Sequence, residues 1–122
     1  MTGSLSPDPL PTIPDLWADH VDAEFVVSLR AFVQDRIASQ ARRIDAEDIY
    51  PVDIVKDLAR AGYSTLSLPC AEGGGGESYR LSAALFEEVS YASAAVGISL
   101  ITIFQAQTII RLFGSESLKK SV

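Results

Sequence analysis

Apolar positions recur every three or four residues through most of this chain, the period of helices buried along one face. Between Asp22 and Asp45 the stripe runs Val26, Leu29, Val33, Ile37, Ala41 and Ile44, while Arg30, Gln34, Asp35, Gln40 and Arg42 fall largely off it. This predicts a helix over that span with Asp22 as its N-cap. Tyr50-Pro51 precedes a second segment, Val52 to Ala61, in which Ile54, Val55, Leu58 and Ala61 keep the spacing. Proline suits a first helical turn, and Gly62 stands where a left-handed C-cap belongs. Two short helices or one bent pair fit this stretch equally.

Ser64 to Leu68 is short, partly apolar and tolerant of extended structure, and it closes at Pro69. Residues 69–78 read as a loop containing Gly73, Gly74, Gly75 and Gly76. Tyr79 to Ala92 is helical again: Leu81, Leu85 and Val89 share one face, and Glu87 and Glu88 are expected in solvent. Ser93 to Phe113 is apolar nearly all round, which predicts a central helix packed on several sides. Gly114 ends it, and Ser115 can cap a further helix from Glu116. Residues 1–20 carry Pro7, Pro9, Pro11 and Pro14, which forbid a continuous helix. They predict an extended or flexible arm from which Leu16 and Trp17 can dock. The fold class is all-α: a bundle of about four main helices over residues 21–122 behind a Pro-rich arm.

Composition narrows the function classes. A chain of 122 residues with 48% hydrophobic content fits one domain with a real core. Ten basic against 16 acidic side chains give a net charge of −6, which argues against nucleic-acid binding. A single cysteine, Cys70, rules out an intramolecular disulfide and a Cys-based zinc site, and it fits a cytoplasmic location. Met1 to Pro14 has no positive charge and no apolar core, so no secretory leader is expected. The longest apolar run, Ala94 to Phe104, is interrupted by Ser99 and Thr102. It falls short of the about 20 apolar residues a bilayer requires, so no membrane span is expected.

Candidate chemistry is sparse. A phosphate-cradling loop would follow its glycines with Lys and Ser or Thr, but Gly76 is followed by Glu77 and Ser78. The glycine spacing does not fit a dinucleotide fingerprint, and a turn is the better reading. His20 has no nominated catalytic partner, and Cys70 has Glu72, not a cation, beside it. Asp45, Glu47 and Asp48 form a second carboxylate group beside Glu87-Glu88, and both read as solvated surface. No metal-ligand spacing is present. Thr102, Gln105 and Gln107 interrupt the apolar helix. They make either a helix–helix hydrogen bond or a pocket wall with a few polar groups among apolar ones.

Five motifs in order resemble the acyl-CoA dehydrogenase family between about Phe25 and Lys120. Leu29-Arg30-Ala31-Phe32-Val33 followed by Ile44-Asp45 is similar to its opening helix. Tyr50-Pro51 followed by Leu58-Ala59-Arg60-Ala61-Gly62-Tyr63 resembles its second helix and glycine stop. Leu68-Pro69-Cys70-Ala71-Glu72 with Gly73 to Gly76 looks like its Pro-x-x-x-Gly-Gly-x-Gly loop, with Glu72 where an aromatic residue often stands. Phe86-Glu87-Glu88-Val89 and Phe113-Gly114-Ser115-Glu116 with Lys119-Lys120 complete the set.

The resemblance implies the helical N-terminal domain of an FAD-dependent oxidoreductase that performs α,β-dehydrogenation of an acyl-CoA thioester in fatty acid metabolism. In family enzymes a β-barrel domain and a C-terminal helical bundle follow, and they carry the flavin-binding motifs and the catalytic base. The chain is therefore expected to stop before the β-barrel, to hold no catalytic residue, and not to bind FAD by itself. The resemblance implies an acyl-pocket lining at roughly Gly97, Ile98, Ile101, Thr102 and Gln105. A homo- or hetero-oligomer is expected, and removal of partner domains predicts self-association through exposed apolar surface. Related flavin-dependent monooxygenases share the fold, and a non-catalytic helical interaction module is the reading from another class.

Overall fold

The computed structural model describes residues 21–121, which are helical with no strand among them. The arm of residues 1–20, including His20, Leu16 and Trp17, lies outside the described residues. Helix α1 spans Ala23–Phe32, capped by the Asp22 carboxylate, which accepts from the Glu24 amide at 3.0 Å.

The first predicted helix is not continuous. A wide π turn, Val33–Ile37, and a tight turn, Ala38–Gln40, separate α1 from α2, Ala41–Glu47. The Ala38 amide reaches five residues back to the Val33 carbonyl. That wide turn inserts one residue of register. It turns Ala38 into the core beside Val33 and Ile37 and leaves Ala41 only half-buried. Asp48 ends α2 in the left-handed region at φ 51, where a short polar side chain is tolerated.

Helix α3 spans Val52–Arg60, immediately after Pro51, and Gly62 ends its turn at φ 84 as the sequence predicts. Ser64 to Leu68 is not extended: it forms a tight turn over Tyr63–Thr65 followed by a bend. The glycine run folds back onto this bend. Gly75 donates to the Thr65 carbonyl at 3.1 Å, Gly76 to Leu68 at 2.8 Å and Glu77 to Leu66 at 3.0 Å. At Gly74 a Cβ would lie 2.2 Å from the Leu68 carbonyl oxygen, so glycine is required there for close backbone approach.

Helix α4 spans Tyr79–Ala92 and α5 spans Ala94–Phe113. Ser93 breaks them apart with extended backbone, and its hydroxyl accepts from the Val96 amide at 3.3 Å. A short α6, Glu116–Ser121, follows, with Ser115 Oγ accepting from the Leu118 amide. The core joins Leu29, Val33, Ile37 and Ile44 to Ile54, Leu58 and Leu66, and on to Leu85, Val89, Val96 and Leu100. Each fully buried Leu or Val contributes about 1.5–3 kcal/mol through removal of apolar surface from water. Tyr63 meets Phe32 edge-on at 5.2 Å and Phe25 at 6.1 Å, and burial pushes its hydroxyl above the ordinary tyrosine pKa.

Two expectations are corrected here. Glu88 does not face solvent: it is 3% exposed, and its Oε1 accepts from Arg30 Nε at 2.9 Å, tying α1 to α4. Arg30 Nη2 and Ser82 Oγ are buried without hydrogen-bond partners among the described residues, so this polar layer is incompletely satisfied. Nor is α5 covered on several sides. Val96, Gly97, Ser99 and Leu100 are buried against the bundle, but Ile109, Leu112 and Phe113 are exposed. By length and composition alone α5 is long and apolar enough to cross a membrane, because the helix carries its apolar character past Phe104. Its first half packs with Val89 and Leu58 in the core.

Candidate functional site

Helix α5 has two faces. The inward one carries Val96 and Leu100, and Phe104 continues it by stacking edge-on against Phe86 of α4 at 4.9 Å. At 100° per residue the opposite face carries Ile98, Ile101, Thr102, Gln105, Thr108, Ile109 and Leu112. All seven are exposed.

Four of the five residues expected to line an acyl pocket thus stand together: Ile98, Ile101, Thr102 and Gln105. Gly97 stands apart from them. It is buried at the crossing with α4, where a Cβ would meet Ser90 Oγ at 2.2 Å. Its role here is close helix approach. Ile109, Leu112 and Phe113 extend the stripe beyond the expected set, a continuation visible in their three- and four-residue spacing.

The polar groups on this face are not equivalent. Thr102 Oγ1 donates to the Ser99 carbonyl and Thr108 Oγ1 to the Phe104 carbonyl, each at 2.8 Å. Both threonines use their hydroxyl protons inside the helix. Gln105 is exposed, and its side chain makes no hydrogen bond within the described residues. The face is therefore an apolar surface with one free amide. The helix–helix hydrogen bond weighed for Thr102, Gln105 and Gln107 is made by none of their side chains among the described residues.

Two grooves lie elsewhere. One, of about 440 Å³, runs between the wide turn and α3, with Asp35, Arg36, Arg43, Tyr50 and Asp53 among its walls. A more open one, of about 600 Å³, shares Arg36 and Asp57 and adds Phe32 and Arg60. Asp57 accepts from Arg36 and pairs with Arg60 at 3.3 Å. The hydrogen bond from Arg36 holds the Asp57 carboxyl below its ordinary pKa, and the same contact raises that of Arg36. Glu72 of the glycine loop pairs with Arg111 of α5 at 3.3 Å. Cys70 is exposed. No three His, Cys, Asp or Glu side chains are grouped to hold a metal ion among the described residues.

A flavin dinucleotide does not fit these surfaces by themselves. Asp35, Asp53 and Asp57 are balanced by Arg36, Arg43 and Arg60 in the grooves, which leaves no net positive charge for a pyrophosphate, and the α5 stripe offers one exposed amide on an open face.

The sequence profile of the family described as "Acyl-CoA dehydrogenase, N-terminal domain" matches residues 21–122. The chain belongs to this family. It is also 34% identical over 71 residues to 3-(aryl)acrylate reductase of Clostridium sporogenes. That match covers 58% of this chain and 19% of the relative, so the chain spans a small part of the relative's length. No solved structure gives a significant match. The family assignment accords with the all-helical order of α1 to α5 and with the ordered glycine loop between α3 and α4.

Proposed function

We propose that this chain supplies one wall of the acyl pocket in an FAD-dependent oxidoreductase acting on the CH–CH bond of an acyl thioester. The observation that carries the reading is the exposed apolar stripe Ile98, Ile101, Thr102 and Gln105 on a helix of a family member. A pocket wall of this kind excludes water and orients an acyl chain, while the single amide of Gln105 discriminates along it. The catalytic base and the flavin come from outside this chain, which is inactive alone. The relative's name supports CH–CH chemistry over hydroxylation, since reduction of an acrylate is the reverse of α,β-dehydrogenation. The reading includes an oligomeric enzyme, as the family resemblance implies, and a cytoplasmic location, which a lone exposed thiol at Cys70 fits.

The test is a domain exchange. Residues 21–122 replace the corresponding domain of an FAD-dependent acyl-CoA dehydrogenase, and bleaching of the flavin by acyl-CoA thioesters is followed. The expected result is thioester-dependent bleaching whose chain-length preference shifts about tenfold in kcat/KM with Ile101→Trp. A hybrid that binds flavin but keeps the same preference with and without Ile101→Trp refutes the pocket assignment. A purified chain that carries a visible flavin band by itself refutes its dependence on other domains.

A further inference from the structure

Resting on the pocket reading above, we propose that Gln105 selects an acyl group bearing a neutral hydrogen-bonding substituent, a hydroxyl or a carbonyl, at the height where the chain passes its amide. Which polar atoms of the wall are already engaged decides this. Thr102 Oγ1 and Thr108 Oγ1 each donate to a carbonyl of their own helix at 2.8 Å. An apolar chain can cover both without stranding a donor. Gln105 stands between them, with Ile101 and Ile109 four residues to either side on the same face. Its amide carries two donors and an acceptor, and none is bonded within the described residues. Gln107 does not share this wall: it is half-buried, and at 100° per residue it lies about 200° around the helix from Gln105.

A plain alkyl chain laid on this wall takes the Gln105 amide out of water and gives it nothing to bond. A chain with a hydroxyl at the same height returns both a donor and an acceptor. Sites built to hydrogen-bond a substrate group reject the analogue lacking it more strongly than apolar walls separate chains of different length. The wall also disfavours an ionic substituent. No charged residue lies between Ala94 and Ile110. Arg111, the one charged residue of α5, stands about 9 Å further along the axis from Gln105. It is engaged with Glu72 at 3.3 Å. A carboxylate or ammonium on the acyl group would be desolvated here without a counter-ion, whereas a neutral hydroxyl needs none. A single amide at a single height imposes a position requirement as well: the substituent is favoured at one place along the chain and disfavoured elsewhere, where it would lie against Ile98, Ile101 or Ile109.

The experiment uses the domain-exchange hybrid and matched thioesters, each n-alkanoyl-CoA against the ω-hydroxyalkanoyl-CoA of equal length, over a series of lengths. The expected result is a kcat/KM preference for the hydroxyl of at least about tenfold at one length or two adjacent ones, and none at the others. Gln105→Leu removes that preference, improving the plain thioester and impairing the hydroxylated one. Thr102→Val moves both members of the pair together and leaves their ratio as it was. Both positions are exposed, so circular dichroism should be unchanged in either variant. A hydroxyl preference at no length, while Ile101→Trp still shifts the chain-length preference, overturns this inference and leaves the pocket standing. A preference that survives Gln105→Leu assigns the hydroxyl to another wall and overturns it too. Faster turnover of ω-carboxyalkanoyl-CoA than of the ω-hydroxy thioester overturns the neutral class. An Ile101→Trp hybrid with unaltered preference refutes the pocket itself, and this inference with it.

Discussion

Removing Arg30 tests the polar layer that joins α1 to α4. The Glu88 side chain is 4% exposed and its Oε1 lies 2.9 Å from Arg30 Nε. Arg30→Ala leaves that carboxylate desolvated and without its cation. Breaking a fully buried pair costs about 3–5 kcal/mol, and an exposed pair contributes about 0–1 kcal/mol. The Arg30 side chain is 37% exposed, which puts the cost between these limits, at about 2 kcal/mol. That is a large part of the roughly 5–15 kcal/mol holding a small domain together. The assay is urea unfolding followed by far-ultraviolet circular dichroism. With a slope of about 2 kcal/mol/M, the midpoint should fall by about 1 M at constant slope. The double variant Arg30→Met with Glu88→Leu should recover most of the loss. It removes both charges, and it also removes the unpartnered Arg30 Nη2. A midpoint shift under about 0.3 M for Arg30→Ala, or additive single variants, would refute the reasoning.

Two further predictions address the faces of α5 and the charge cluster on α3. Leu100→Ala should cost about 2–5 kcal/mol by leaving a cavity in the core, whereas Ile98→Ala, at an exposed position, should cost under about 0.5 kcal/mol; paired urea titrations check the contrast. Arg36 depresses the folded-state pKa of Asp57, so this carboxylate stabilises the fold above its ordinary pKa, and the contribution disappears as pH falls through the depressed value. The stability difference between the native chain and Asp57→Asn should therefore be constant near neutrality and close at acid pH. A difference that stays constant from neutral through strongly acid pH would contradict it.

The helices were legible because each signal for them is local. The three- to four-residue stripe, Asp22 at an N-cap, Gly62 after α3 and Gly114 after α5 act within a turn or two of where they stand. The family resemblance was legible for a similar reason, since its five motifs are short and ordered along the chain. The wide turn at Val33–Ile37 was hidden, because Ala38 and Ala41 are equally apolar and only the packing of Ile37 and Ile44 around one core selects between them. The environment of Glu88 was hidden too. Its partner Arg30 lies 58 residues away, and a charged dipeptide on a helix carries no local mark of burial.

The stripe on α5 divides along the same line. The sequence by itself determined that residues 94–113 are helical and apolar, since composition and period suffice for both. Which side of that helix enters the core was decided by tertiary structure alone. An all-round apolar helix has no preferred face until neighbours occupy one. Gly97 admits α4 closely, Val96 and Leu100 fill the space beneath, and Ile98, Ile101, Gln105 and Leu112 are left outward because no other described element reaches them.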